Sequence, residues 1–383
     1  VAIYAYYFHS LLQRATDITL TYNKAASKTA TGEMSRFMLQ LMVECGQNIH
    51  FKNLNASQNP LQSIKKPIVK NQEVMRNIYQ TDRLSPTAIT TYLRCQMRFY
   101  YRYIAGIKEP DNEEDEIDNR IFGNIFHRAA ELFYESKCNK DVVQKQDIIN
   151  ALKDKSLLPR IIEEAFREKL FNVKDDKNIT YNGLQIINRQ VIIEYIKRLL
   201  AIDQKLTPFS ILGLEKPIEM PFYINTQEGL KQISLFGNID RIDKIDENGS
   251  TCIRVVDYKT GSNDKTSIKS VDDIFNPEKI ESHSDYYLQA LLYSIMLYNN
   301  RNLNPNHLPV SPALLFIQHA TGDDYTPILK FGKDIITDVS IYTEDFLSKL
   351  KELIEDIFNP NIAFNPTENT KRCQYCPYRE ICG

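Results

Sequence analysis

Neither sign of charge dominates this 383-residue sequence: 47 lysines and arginines stand against 49 aspartates and glutamates, for a formal net charge of −2. No global basicity advertises a polyanionic partner, so any nucleic-acid surface has to come from local clustering. No run approaches 18 consecutive apolar residues, which argues against a membrane-spanning helix. The apolar opening Val1-Ala2-Ile3-Tyr4-Ala5-Tyr6-Tyr7 has neither a basic leader nor a small-residue cleavage site, and does not read as a signal peptide. An initiating Met is also lacking, and the expectation is a piece of a longer chain. A Gly-x4-Gly-Lys-Ser/Thr phosphate loop is absent, so ATP hydrolysis by that route is not expected. Internal repeats and low-complexity tracts are missing too.

What is present has the composition of an ordinary globular protein, 43% hydrophobic and 25% charged, in a chain long enough for two domains. The seven cysteines are Cys45, Cys95, Cys138, Cys252, Cys373, Cys376 and Cys382. An odd number without an export signal points to a reducing, cytoplasmic setting rather than a disulfide framework. Three of them crowd into the last eleven residues, while Cys45, Cys138 and Cys252 read as buried small hydrophobes.

Residues 1–55 read as a short strand or helix pair, with Ile18 to Tyr22 alternating like a strand and Gly32 to Leu41 carrying helical periodicity. Residues 56–80 have linker composition, and residues 81–383 form the main domain. Its first helix starts at Ser85-Pro86, with Ser85 as N-cap, and runs through Tyr103. Arg94, Arg98 and Arg102 recur every fourth residue along it, among Phe99, Tyr100, Tyr101 and Tyr103. Such a stripe suits a single-stranded phosphate backbone and its bases, or equally a solvated helix face. The acidic run from Glu109 to Asp118 reads as an exposed loop. Helices are expected over 121–136, 144–204, 285–299 and 337–358. Strands are expected at 211–214, 218–224, 233–240, 252–258 and 313–319, with Asn248-Gly249 as a hairpin turn. The fold class is α+β, a mixed central sheet flanked by helices.

The chemistry concentrates in Asp257-Tyr258-Lys259-Thr260-Gly261 and in Asp240 of Gly237-Asn238-Ile239-Asp240-Arg241. Each acid is expected at the end of its strand, and neighbouring strands lie about 5 Å apart. Two carboxylates there suit a hard divalent cation such as Mg²⁺, which needs few protein ligands. Lys259, two positions beyond Asp257, shares its face and can orient water or offset transition-state charge. Asp-x-Lys alone fits solvated strand-end charges as well. His127 lies on an amphipathic helix with Glu131 four residues on, and an imidazole can complete a metal shell. Gln289 and Tyr293, at i and i+4, can face a neighbouring site while leucines face the core.

The order of these pieces resembles the RecB-type branch of the PD-(D/E)xK nuclease superfamily, with its restriction-endonuclease-like core. The matching segments are Gly123…His127, Gly237…Asp240-Arg241, Asp257-Tyr258-Lys259-Thr260-Gly261 and Gln289…Tyr293. The resemblance implies that His127, Asp240, Asp257 and the carbonyl of Tyr258 bind Mg²⁺ or Mn²⁺. It makes Asp240, Asp257 and Lys259 catalytic, with Gln289 and Tyr293 supporting the site or touching DNA, and Arg94, Arg98 and Arg102 as candidate DNA contacts. Cys373-x2-Cys376-x5-Cys382, with Cys95 far upstream, resembles the iron–sulfur-stapled AddB-type nuclease domains. That likeness implies a [4Fe–4S] cluster, although four thiolates suit a structural Zn²⁺ equally. Residues 11–22 resemble the end of a helicase domain of the UvrD/RecB type, with Gln13 where that pattern has Thr. The implied function is a metal-dependent DNA exonuclease in double-strand-break repair, working with a helicase partner subunit. The alternative is a catalytically silent, cluster-stapled DNA-binding scaffold.

Overall fold

A computed structural model describes residues 2–22, 33–44, 49–52, 66–109, 117–173, 180–247, 249–261, 268–319 and 325–382. The chain divides into two units, Val1–Ser63 and Ile64–Gly383. The first holds α1 (Ala2–Leu12) and α2 (Arg36–Glu44), joined by a stacked contact of Phe8 on Phe37 with centroids 5.5 Å apart. Residues 18–22, expected to alternate as a strand, have no regular structure. Cys45 lies outside the described residues.

The second unit opens inside the stretch that reads as a linker. Residues 72–79 form α3 (Gln72–Tyr79), capped by Asn71, with Val74 and Ile78 in the core. Just before it, the Lys70 ammonium donates to the carbonyls of Asp356, Ile357 and Asn359 at 2.7, 2.8 and 3.1 Å. Those acceptors are carbonyls at the C-terminus of the helix that ends at Phe358, where a cation is favoured.

β1 (Arg83–Leu84) leads into α4 (Pro86–Arg94), whose N-cap Ser85 accepts from the Ala88 amide as expected. The helix does not continue to Tyr103. It breaks at Cys95, which is extended (φ −165, ψ 113), and resumes as α5 (Gln96–Phe99) followed by a π-turn at Tyr100–Ile104. Then come α6 (Asn119–Tyr134), β2 (Val142–Val143), α7 (Lys145–Lys153), α8 (Leu157–Phe166) and α9 (Gly183–Leu206). Three long strands follow, β3 (Phe209–Thr226), β4 (Gly229–Glu247) and β5 (Ser250–Lys259). The remainder is α10 (Val271–Phe275), α11 (Ser284–Tyr298), β6 (Val310–Phe316), the small β7–β8 pair (Lys330–Phe331, Asp334–Ile335), α12 (Thr343–Phe358) and α13 (Arg379–Cys382).

The sheet runs β2-β3-β4-β5-β6, with β1 pairing β4 in parallel. β3, β4 and β5 are antiparallel, and β6 is parallel to β5, so the sheet is mixed. Its two faces carry separate cores. Helices α4, α11 and α12 cover one face with Ile253, Val255 and Leu314 beneath them, while α6, α8 and α9 cover the other over Val256, Tyr258 and Leu315. This period-2 division follows from the alternation of a strand buried on both sides. Asp257 and Lys259 therefore share the face of Ile253 and Val255, the face on which α11 packs. Cys138 and Cys252, expected to be buried, are half-buried at the margin of the second core.

Candidate metal site

Asp240 does not end its strand. It lies inside β4, because the β3–β4 hairpin is longer than the apolar runs suggest. In β3–β4, Leu214 pairs with Arg241 and Lys216 with Ile239, which places Glu215 opposite Asp240. In β4–β5, Arg241 pairs with Val256, and the same register carried one residue further sets Asp257 opposite Asp240. Three acids from three neighbouring strands thus form one row across the sheet.

Glu215 is a site residue that the sequence motifs do not reveal. Its backbone is left-handed (φ +43), a conformation that costs a non-glycine residue roughly 1–2 kcal/mol. Irregular strand geometry of this kind re-aims a side chain. The Glu215 carboxylate accepts from Asn238 Nδ2 at 2.7 Å and reaches His127 Nδ1 at 3.5 Å. His127, on α6, also meets Asp240 Oδ1 at 3.3 Å. One ligand atom each of His127, Glu215 and Asp240 lies within 4.8 Å of the others, a set of one imidazole and two carboxylates. Those donors fit a hard divalent cation. Glu131, expected on the same helix face as His127, accepts from Arg128 at 2.8 Å and is not part of this set.

The second half of the site surrounds Asp257. Lys259 Nζ stands 2.5 Å from Asp257 Oδ2, and Gln289 bridges the pair. Its Nε2 donates to Asp257 Oδ1 at 2.8 Å while its Oε1 accepts from Lys259 at 3.1 Å. The two halves join where the Tyr258 amide donates to Asp240 Oδ2 at 2.7 Å. Asp257, Tyr258 and Lys259 thus converge with Asp240, His127 and Gln289. Tyr258 contributes its amide to the acid row and its ring to the opposite core.

Electrostatics follow from this crowding. Burial pulls the His127 imidazole down, but the Asp240 and Glu215 carboxylates outweigh it and raise it to about 10. Burial works to raise Asp240, yet His127, the Tyr258 amide and Lys259 hold it below the usual carboxylate range. Asp257 is pushed up to about 6 by burial, against the pull of Lys259 and with the charge of Asp240 adding to the rise. Lys259, despite burial, is held above its ordinary value by Asp257.

Tyr293, one turn beyond Gln289, explains a glycine. Its hydroxyl accepts from the Asn238 amide at 3.4 Å, and its ring lies directly on Gly237. A Cβ at position 237 would fall on Cε1, Cζ and the hydroxyl of Tyr293, well inside van der Waals contact. Gly237→Ala should therefore cost about 1–3 kcal/mol by overpacking. A companion Tyr293→Ala change, by opening space, should recover part of that loss in thermal unfolding. If the two losses simply add, close approach is not the reason for the glycine.

The arginines are engaged separately. Arg94 donates to Asp285 at 3.0 Å, while Arg98 and Arg102 both donate to Glu109 at 3.0 and 2.9 Å. The break at Cys95 divides Arg94 from the other two, so they do not form one helical stripe. The same break brings Cys95 to a small cluster of Met97, Tyr101 and Tyr378, against which Cys376 and Cys382 also pack. Cys373 ends a turn whose carbonyl accepts from the Cys376 amide at 3.3 Å. Arg372 clamps this segment, donating to the Arg94 carbonyl, the Pro277 carbonyl and Glu281 at 2.9, 2.8 and 2.9 Å. No disulfide joins the described cysteines. Cys95, Cys376 and Cys382 thus share one small cluster and Cys373 is not part of it; among the described residues no three cysteines meet at metal-ligand distance.

Comparison with known proteins covers the stretch that holds these residues. The sequence model of the PD-(D/E)XK nuclease superfamily matches residues 83–383. The chain is 26% identical over 289 residues to an ATP-dependent helicase/deoxyribonuclease subunit of Clostridium acetobutylicum, covering 70% of this chain and 22% of that protein. A protein of the same name from Clostridium perfringens is 27% identical over 297 residues, covering 73% and 23%. One from Carboxydothermus hydrogenoformans is 27% identical over 241 residues, covering 61% and 20%. The chain thus spans less than a quarter of the length of these relatives.

Proposed function

This chain belongs to the PD-(D/E)XK nuclease superfamily, and we propose that it is the nuclease portion of a helicase–deoxyribonuclease subunit, hydrolysing DNA phosphodiesters from an end with Mg²⁺ or Mn²⁺. The observation that carries this reading is the joining of a three-ligand set, His127, Glu215 and Asp240, to the Asp257–Lys259–Gln289 triad through the Tyr258 amide.

His127, Glu215 and Asp240 would hold the ion, with Asp257 beside them. A cation bound there supplies Lewis acidity at the scissile phosphate. The remaining work belongs to side chains already in place. Asp257 and Gln289 fix the Lys259 ammonium, so that a preorganised positive charge faces the developing negative charge and orients the attacking water. Tyr293, seated on Gly237, holds the Asn238 amide, and the Asn238 side chain in turn holds Glu215. Arg94, Arg98 and Arg102 would exchange their acidic partners for phosphates when DNA arrives. The four cysteines would hold a [4Fe–4S] cluster, or zinc, that staples the unit. Iron analysis and visible absorption on anaerobically purified protein distinguish the two. Residues 1–55 would be the tail of a helicase-like region, and double-strand-break processing with a partner subunit would be the setting.

The direct test is cleavage of end-labelled single- and double-stranded DNA with Mg²⁺ or Mn²⁺. Metal-dependent shortening from an end is expected, with closed circles resisting. No cleavage should be seen in Asp257→Ala. Equal activity in that variant, or none in the wild-type chain with any divalent metal, would overturn the assignment.

A further inference from the structure

We propose that the stacked rings of His283 and Tyr286, at the start of α11, form a platform for an unpaired nucleobase of the DNA beside the phosphodiester held at Lys259. The inference rests on the nuclease reading above and deepens it, because it names the substrate class as a single-stranded segment or a frayed end.

His283 joins a 3₁₀ turn, Pro277–Ser282, to α11. It takes a left-handed conformation (φ +61, ψ 37), and its amide donates to the carbonyls of Ile280 and Lys279. Glycine or asparagine is what such a helix end favours. The backbone therefore does not call for histidine, and the imidazole has to be accounted for by what it touches. Its ring lies flat on Tyr286, with centroids 4.6 Å apart and planes 12° from parallel. The Lys259 ammonium lies over the same Tyr286 ring, 4.9 Å from its centroid. One aromatic ring thus links the imidazole to the lysine of the reaction centre.

Both groups are partly open to solvent, with the His283 side chain 18% exposed and Lys259 16%. The neighbouring charges suit a nucleotide as well. Asp285 stands 3.9 Å from His283 Nδ1 and holds Arg94, whose side chain is 40% exposed and within reach of a flanking phosphate. A flat aromatic pair with a cation alongside is how single-stranded nucleic acid is commonly bound, without regard to sequence. In an intact duplex each base is covered above and below, so the platform selects a base that has left its stack.

The test uses the whole chain and a single-stranded oligonucleotide carrying 2-aminopurine, with binding read by fluorescence in EDTA and cleavage read in Mg²⁺. His283→Asn suits the left-handed backbone but lacks the ring; His283→Tyr restores a ring. The wild-type chain should quench 2-aminopurine. His283→Asn should lose the quenching, bind roughly 5- to 150-fold more weakly and raise KM more than it lowers kcat, and His283→Tyr should recover most of the affinity. An oligonucleotide abasic at the platform position should bind the wild-type chain as weakly as the intact one binds His283→Asn. Unchanged quenching and affinity in His283→Asn, no rescue by His283→Tyr in a folded chain, or indifference to the abasic position would each overturn the platform. If these occur while Asp257→Ala is inactive, the platform alone fails. If the wild-type chain neither binds nor cuts DNA, both readings fail.

Discussion

The Lys259→Ala chain should fold and take up Mn²⁺ much as the wild-type chain does, yet cleave DNA about 10²–10³-fold more slowly. The expectation follows from how the site divides. Lys259 is absent from the three-ligand set, so its loss leaves His127, Glu215 and Asp240 in place. What disappears is a fixed cation on the Asp257 side, positioned by Asp257 Oδ2 at 2.5 Å and by Gln289 Oε1 at 3.1 Å. A preorganised charge of this kind acts on the transition state rather than on binding, so kcat should fall with little change in KM. Glu215→Ala should show the opposite pattern. Mn²⁺ affinity should weaken at least roughly tenfold by calorimetry, and saturating metal should restore part of the rate. If Lys259→Ala lost metal binding, or cut DNA within a few-fold of wild type, this division of labour would be wrong.

How far the site could be read in advance is clearest at Glu215. Thr226 pairs with Gly229 across the two-residue turn Gln227-Glu228, so partners along that hairpin have numbers summing to 455. Glu215 and Asp240 meet that sum, and the pairing was therefore available by counting back from the turn. The gap between the expected strands 211–214 and 218–224, which holds Glu215 and Pro217, hid it, because a proline there reads as an interruption. The structure keeps β3 continuous because it pairs with β2 only at Phe209 and Ser210, leaving an open edge where a missing amide costs nothing. Asp257 and Lys259 were legible because two-residue spacing on a strand fixes a common face whatever the strand's neighbours. The break at Cys95 was not, since no glycine or proline marks it. It serves contacts more than 270 residues away in sequence, where Arg372 and Tyr378 grip the Arg94 and Ile107 carbonyls. Local signals carry no trace of so distant a partner.

Asp203→Leu should destabilise the fold by about 3–5 kcal/mol, a large share of a typical net stability of roughly 5–15 kcal/mol. Arg241 follows Asp240 on β4 and so points to the opposite face, where its guanidinium donates to both Asp203 oxygens at 2.8 Å. Both side chains are 0% exposed. Asp243 lies 3.0 Å from Arg241 Nε and accepts from Arg254 at 2.8 Å, and Tyr134 donates to Asp203 at 2.6 Å. Two acids and two arginines therefore balance inside the second core, with the Tyr134, Phe209 and Tyr258 rings around Arg241. Removing Asp203 leaves one buried guanidinium short of a carboxylate, and Arg241→Leu leaves Asp203 without its cation. The double change Asp203→Leu/Arg241→Leu restores the balance through Asp243 and Arg254, so it should be more stable than the sum of the singles by roughly 1–3 kcal/mol. Denaturant unfolding of the four chains measures this, and strict additivity would show that the pair is not coupled. The arginine beside Asp240 would then owe its place to something other than this network. If the coupling is found, the Asp-Arg dyad has two separable duties on the two faces of one strand. The acid serves the site, and the arginine anchors the strand that presents it.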